Sequence, residues 1–183
     1  MSINSHLVTV LVGVPAAGKT TQIGELVRDD QVDTYSHFSL NKLRLEYALK
    51  NDIIKYAPEG VEPDPETYAT AFKYCSEEDP QGFNAFQKGV WLEMLEKAQK
   101  FEVPIYVDNM HLIKRHRRIM VEDIRGYGLT VRGVYTKVSL REALRRNANS
   151  KQLPENVIHE AMSRLEEPEA EEFDDFIHVD TEM

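Results

Sequence analysis

Apolar positions recur along this chain in two rhythms. Leu7 to Val12, LVTVLV, is a continuous apolar run of strand length, and Thr34 to Leu40, Val103 to Asp108, Leu129 to Tyr135 and Phe176 to Val179 are short stretches of the same kind. Between them lie segments with helical spacing: Lys19 to Arg28, Asn41 to Leu49, Phe83 to Phe101, Ile113 to Arg125 with Gly126 as a stop, Leu140 to about Asn147, and Pro154 to Leu165. In the third of these, Phe86, Val90, Trp91, Met94, Leu95 and Ala98 share one face, and Trp91 reads as core packing. Strands separated by helical crossovers predict an α/β fold with a central parallel sheet and helices on both faces. The ligand site of such a fold lies at the carboxyl ends of the strands.

The alternation lapses from Asn51 to Gly82, where Pro58, Gly60, Pro63, Pro65, Pro80 and Gly82 accompany an acidic bias. This segment reads as an insertion over one edge of a single domain spanning residues 1–183. Near residues 145–154 a polar loop, NANSKQ, separates a helix from the next one opened by Pro154, which suits a short mobile lid.

Charge narrows the partners. A formal net charge of −9 counts against general adhesion to nucleic acid, though not against a local basic cleft. The acid concentrates in EEPEAEEFDD, read as a solvated face. For Lys114, Arg115, Arg117 and Arg118 in KRHRR, surface charge and contact with an acceptor's phosphates both stay open. One cysteine, Cys75, permits no intramolecular disulfide and fits a reducing, cytoplasmic setting. The N-terminus has no basic region followed by an apolar core, and no apolar run approaches the ~20 residues of a membrane span, so a soluble, unanchored protein is expected.

The chemistry concentrates in Gly13 to Thr20, GVPAAGKT, which satisfies the Walker A pattern Gly-x-x-x-x-Gly-Lys-Ser/Thr after an apolar strand and at the opening of a helix. Glycines let successive N–H groups turn towards phosphate oxygens, and the helix N-terminus adds partial positive charge. The cradle comprises Gly13, Pro15, Ala16, Ala17, Gly18, Lys19, Thr20 and Thr21. Lys19 reaches β- and γ-phosphates, and the Thr20 hydroxyl joins a Mg²⁺ shell. Asp108, ending an apolar strand, is the candidate to order that metal or its waters, with a helix cap as its alternative role. Asn109 and His111 share the same turn. His111, with no second ligand nearby, reads as a hydrogen-bonding loop residue.

Taken together, GVPAAGKTT, FSLNKLRLEY, VDNMHLIKRHRR and LREALRRNANSKQLPENVI resemble the P-loop kinases of the phage polynucleotide kinase type over most of the chain outside Asn51 to Gly82. The resemblance implies a P-loop kinase fold and transfer of the γ-phosphate of ATP to a hydroxyl of a nucleic acid, either a 5′-hydroxyl end or a hydroxymethylated base of DNA. It also implies the host cytoplasm as the setting if the chain is phage-encoded. Arg44 then matches the residue that binds the acceptor phosphate. Asn41 stands where the family has an aspartate that engages the acceptor hydroxyl. Arg146 matches a lid arginine over the transferring phosphate, Asn147 follows it, and Lys151 is the nearest cation to the second lid position. Two other readings stay open: a kinase for a nucleoside, nucleoside monophosphate or sugar, and a nucleotide-binding module without transferase activity. Oligomeric state is not legible.

Overall fold

The structure is a computed structural model that describes residues 6–55, 63–149 and 153–182. It separates into two compact units, one formed by Met1–His37 with Leu95–Met183 and the other by Phe38–Met94.

The first unit is built on a five-stranded sheet of β1 (Leu7–Val12), β2 (Ser36–Ser39), β3 (Ile105–Asp108), β4 (Thr130–Lys137) and β5 (Asp175–Asp180), in the order β2-β3-β1-β4-β5. β1 pairs in parallel with β3 and β4, and β4 with β5. Every residue of β1 is buried, which explains a run without polar alternation: its two faces both meet protein. Flanking it are α1 (Lys19–Asp29), α5 (Lys114–Gly126), α6 (Leu140–Asn149) and α7 (Glu155–Arg164). Ile23 and Leu26 of α1 pack on Leu11, Tyr106 and Val134, while Ala143, Ile158 and Ala161 of α6 and α7 close over Val14, Ala17 and Leu112.

This order makes a switch point. From β1 the chain runs to one side of the sheet for β2 and β3, then crosses to the other side for β4 and β5, leaving a crevice beyond the carboxyl end of β1. The register places it: Val10 lies opposite Val107, so Asp108 follows at the level of Leu11, near the end of β1 and two residues short of Gly13.

Two polar devices brace the unit. Arg132 on β4 donates to Thr9 Oγ1 at 3.0 and 3.2 Å and to Asp30 Oδ1 at 3.0 Å, and Tyr106 donates its hydroxyl to Asp30 Oδ2 at 2.8 Å. Burial alone would raise the Asp30 pKa, but hydrogen bonds from Arg132 and Tyr106 hold it below the usual range. The second device is Arg117, fully buried on α5. Its Nη1 donates to the carbonyls of His111, Leu112 and Glu166 at 2.9 to 3.0 Å, and its Nε and Nη2 grip Glu172 at 2.8 and 2.9 Å. Beside it, Lys114 pairs with Glu169 at 2.5 Å and Arg125 with Asp174 at 2.7 Å. The acidic run, expected to be a solvated face, is exposed at most of its carboxylates and also supplies counter-charge to the basic helix, with Glu172 half-buried against Arg117. Arg117 is neither surface charge nor an acceptor contact.

In the second unit, α2 (Leu40–Lys50), α3 (Pro65–Lys73) and a π-helical turn at Tyr74–Glu78 precede α4 (Pro80–Phe101), whose last residues belong to the first unit. Leu45, Ala48, Ile54 and Ala71 form its apolar centre, and Trp91 meets Phe38 edge-on at 5.0 Å. Part of the stretch read as an insertion is helical. Asp64 caps α3 by accepting from the Thr67 amide at 2.9 Å, and Pro65 follows at the first helical position, where its missing N–H costs nothing. Among the described residues no helix is long and apolar enough to cross a membrane.

Candidate functional site

The loop between β1 and α1 bends through two residues with left-handed backbone, Ala16 (φ 61°) and Gly18 (φ 88°), with Ala17 fully buried between them. Gly18 caps α1 and has no side chain to accept from the first amides of the helix, which suits them to an anion. Gly13 is required for a different reason: a Cβ there would stand 2.4 Å from Thr136 Oγ1. Its amide donates to Met110 O at 3.0 Å, tying the cradle to the loop after β3. Lys19 curls over the loop, its Nζ donating to the carbonyls of Gly13 and Val14 at 2.9 and 2.8 Å.

Asp108 meets this cradle directly. Thr20 Oγ1 donates to its Oδ2 at 3.1 Å, and His37 Nε2 stands 3.7 Å from the same oxygen. Burial pushes the Asp108 pKa up, but the His37 contact, the Lys19 charge and the Thr20 hydroxyl together hold it below the ordinary carboxylate range. A hydroxyl next to an ionised carboxylate suits magnesium, which binds few protein oxygens and takes the rest of its shell from phosphate and water. No group of three or more His, Cys, Asp or Glu side chains among the described residues could hold a metal alone, so any ion here is to be expected with its nucleotide.

His111 lies in the loop after β3, next to Met110, whose carbonyl accepts from the Gly13 amide. It is only 8% exposed, its backbone is left-handed (φ 48°), and its Nε2 has no hydrogen-bond partner among the described residues. Burial, with help from the Lys19 and Arg117 charges, pushes its pKa down to about 3, so the ring is neutral. The sequence reading of a hydrogen-bonding loop residue misses that orphaned nitrogen. It also misses His37, which carries no motif and becomes relevant only when β2 is aligned in the sheet.

Arg146 sits at the rim. A Cβ on Gly18 would lie 3.8 Å from its Nη1. Its Nε donates to Glu142 Oε1 at 2.7 Å, its Nη1 to Thr181 Oγ1 at 3.1 Å and its Nη2 to the Thr181 carbonyl. Arg145 grips the same Glu142, and the hydrogen bonds from the two guanidinium groups push that carboxyl down to about 2. Asn147 clasps Leu153 in both directions, at 2.8 and 3.0 Å, closing the ends of the loop between α6 and α7. Lys151 lies outside the described residues.

Asn41 and Arg44 both belong to the second unit. Arg44 Nη1 donates to Asn41 Oδ1 at 3.1 Å, and the guanidinium carbon stands 4.8 Å above the ring of Phe72 and 6.0 Å from that of Phe83. Among the described residues no carboxylate pairs with Arg44. Desolvation lowers its pKa, with a small opposing effect from Cys75.

Residues 8–168 match the AAA domain family. Among curated protein sequences, none matches the chain. Among solved structures, a gluconokinase from Sinorhizobium meliloti 1021 superposes with a TM-score of 0.57 at 14% identity, over 98% of this chain and 85% of that one. Kti12 of Chaetomium thermophilum, in complex with ADP-AlF3, superposes with a TM-score of 0.56 at 13% identity, over 96% of this chain and 89% of that one. A chain of the Pnkp1/Rnl/Hen1 complex gives a TM-score of 0.49 at 16% identity, over 76% of this chain and 38% of that one, too weak a likeness to argue from.

Proposed function

The chain belongs to the AAA domain family and carries a P-loop kinase-like domain, and from that premise we propose that it transfers the γ-phosphate of ATP to a hydroxyl of a nucleic acid, a 5′ end or a hydroxymethylated base of DNA. Gly13, Pro15, Ala16, Ala17, Gly18 and Thr21 form the cradle; Pro15 has no N–H and the Gly13 amide is engaged by Met110 O, so the amides offered to the phosphates come from the later residues of the loop and the start of α1. Lys19 leaves the carbonyls of Gly13 and Val14 for the β- and γ-phosphate oxygens. Thr20 and Asp108 hold Mg²⁺, which when bound neutralises charge shared between those phosphates. The acceptor oxygen bonds to phosphorus as the bond to the β-bridging oxygen breaks, and ADP departs with the charge that Arg146 offsets. Asn41 accepts a hydrogen bond from the acceptor hydroxyl without removing its proton, which passes to solvent. A loose transition state asks more for positioning and charge than for a strong base.

The observation that supports a nucleic-acid acceptor is Arg44: a half-buried guanidinium that no carboxylate among the described residues pairs with, lying on a Phe72 ring that is 51% exposed. A desolvated fork suits a phosphodiester, and an exposed ring beside it suits a base. The test is transfer of label from γ-labelled ATP to 5′-hydroxyl oligonucleotides, hydroxymethyl-base DNA, nucleosides, nucleoside monophosphates and gluconate, with Lys19→Ala as the blank. Labelled oligonucleotide is expected. Label on a small acceptor alone would replace the nucleic-acid reading, and ATP binding without any transfer would leave a nucleotide-binding module.

A further inference from the structure

His111 bears two costs at one position. A non-glycine residue held in the left-handed region is unfavourable. A buried nitrogen without a partner among the described residues adds a desolvation penalty. Neither cost is forced by the core, because the surrounding loop is already secured twice: Met110 O accepts from the Gly13 amide, and Arg117 Nη1 holds the carbonyls of His111 and Leu112. What those bonds do accomplish is to fix the backbone on either side of the imidazole. The ring is thereby held in the loop that follows Asp108, one residue after the Met110 carbonyl that meets the Gly13 amide of the cradle. Buried polar atoms are satisfied in the great majority of cases, and an exception at a strained residue in a phosphate site points to a partner that arrives with the ligand.

We propose that the partner is the terminal phosphate: His111 donates a hydrogen bond from Nε2 to a γ-phosphate oxygen and so distinguishes a nucleoside triphosphate from a diphosphate. The inference rests on the cradle binding ATP but not on which acceptor receives the phosphate. A neutral donor suits this place, because Lys19 and Arg117 already supply fixed positive charge and a third cation would repel them.

Two substitutions separate the imidazole's reach from its backbone role. Glutamine carries its amide nitrogen to about the position of Nε2. Asparagine reaches only as far as Nδ1 but tolerates the left-handed backbone well. Titration calorimetry with magnesium compares ADP with β,γ-imido-ATP on the parent, His111→Gln and His111→Asn. The expected result for His111→Asn is ADP affinity within about twofold of the parent and affinity for the triphosphate analogue lower by about tenfold or more. His111→Gln should recover most of that loss. Equal losses for both nucleotides, or none for either, overturn the proposal. On the parent itself, the His111 ring nitrogen resonances should move on adding the triphosphate analogue and not on adding ADP, and unmoved resonances with the analogue bound overturn it without any variant. A parent that binds neither nucleotide overturns the ATP reading itself.

Discussion

The Thr20 hydroxyl donates to the Asp108 carboxylate at 3.1 Å, so the first turn of α1 and the last residue of β3 are already joined across 88 residues of chain. The two proposed metal contacts therefore need little rearrangement on binding.

Asp108→Asn keeps the shape but weakens the charge. Transfer should fall by at least tenfold and recover in part at high magnesium, because an amide oxygen binds the metal shell less strongly. A magnesium titration of turnover checks this. Since the parent carboxyl is held below its ordinary range, magnesium-dependent nucleotide binding should also persist as pH falls past the value at which a free aspartate protonates.

Glu142 fixes Arg145 and Arg146 together, and its pKa is lowered from 4.5 to about 2. A carboxylate depressed on folding stabilises the native state fully above the unfolded value, and loses that contribution as pH falls from about 4.5 to about 2. Glu142→Gln should flatten the stability curve across that window and leave it unchanged near neutrality in slope, as read by thermal melts at graded pH. Arg146→Lys, by contrast, should lower turnover more than ATP affinity, because a point charge cannot replace the planar fork on a transferring phosphate.

Asn41→Asp tests the acceptor residues. A carboxylate 3.1 Å from Arg44 Nη1 would pair with the guanidinium and take it from any phosphate. The acceptor KM should rise roughly two- to fivefold and its salt dependence should flatten, while Asn41→Ala leaves both closer to the parent. If neither variant moves KM or turnover, Asn41 is only the first turn of α2.

Two glycines should answer oppositely to alanine. At Gly133 a Cβ would meet the Phe173 ring at 2.5 to 2.6 Å, and that ring is buried and stacked on Phe176. The loss should be about 1–3 kcal/mol by chemical denaturation. Gly24, inside α1, has nothing within 4 Å of its would-be Cβ, and Gly24→Ala should gain ~0.5–1 kcal/mol.

The strands and crossovers were legible because each buried strand is a short apolar run that its neighbours bound with turns. Observed β1 coincides with LVTVLV, and Asp108 ends β3 as its apolar run ends. Residues 65–78 were not legible as helix, because proline was weighed as a breaker where it stands behind the Asp64 cap. His37 could not be found in one dimension: it meets Asp108 through sheet order, and no local pattern encodes that. The Arg117 clasp had a signal that spacing alone does not use, namely a basic helix and an acidic run about fifty residues apart.

Arg117 also dates the site within the life of the polypeptide. Its partners Glu166 and Glu172 are translated about fifty residues after it, yet they complete the socket that fixes the carbonyls of His111 and Leu112. On the ribosome, the cradle is made well before Glu166, and the loop opposite it is set only once that later segment has emerged. A nascent fragment that ends before Glu166 leaves a cation with three hydrogen-bonding duties unmet, so nucleotide capture waits on the acidic segment and not on the cradle alone.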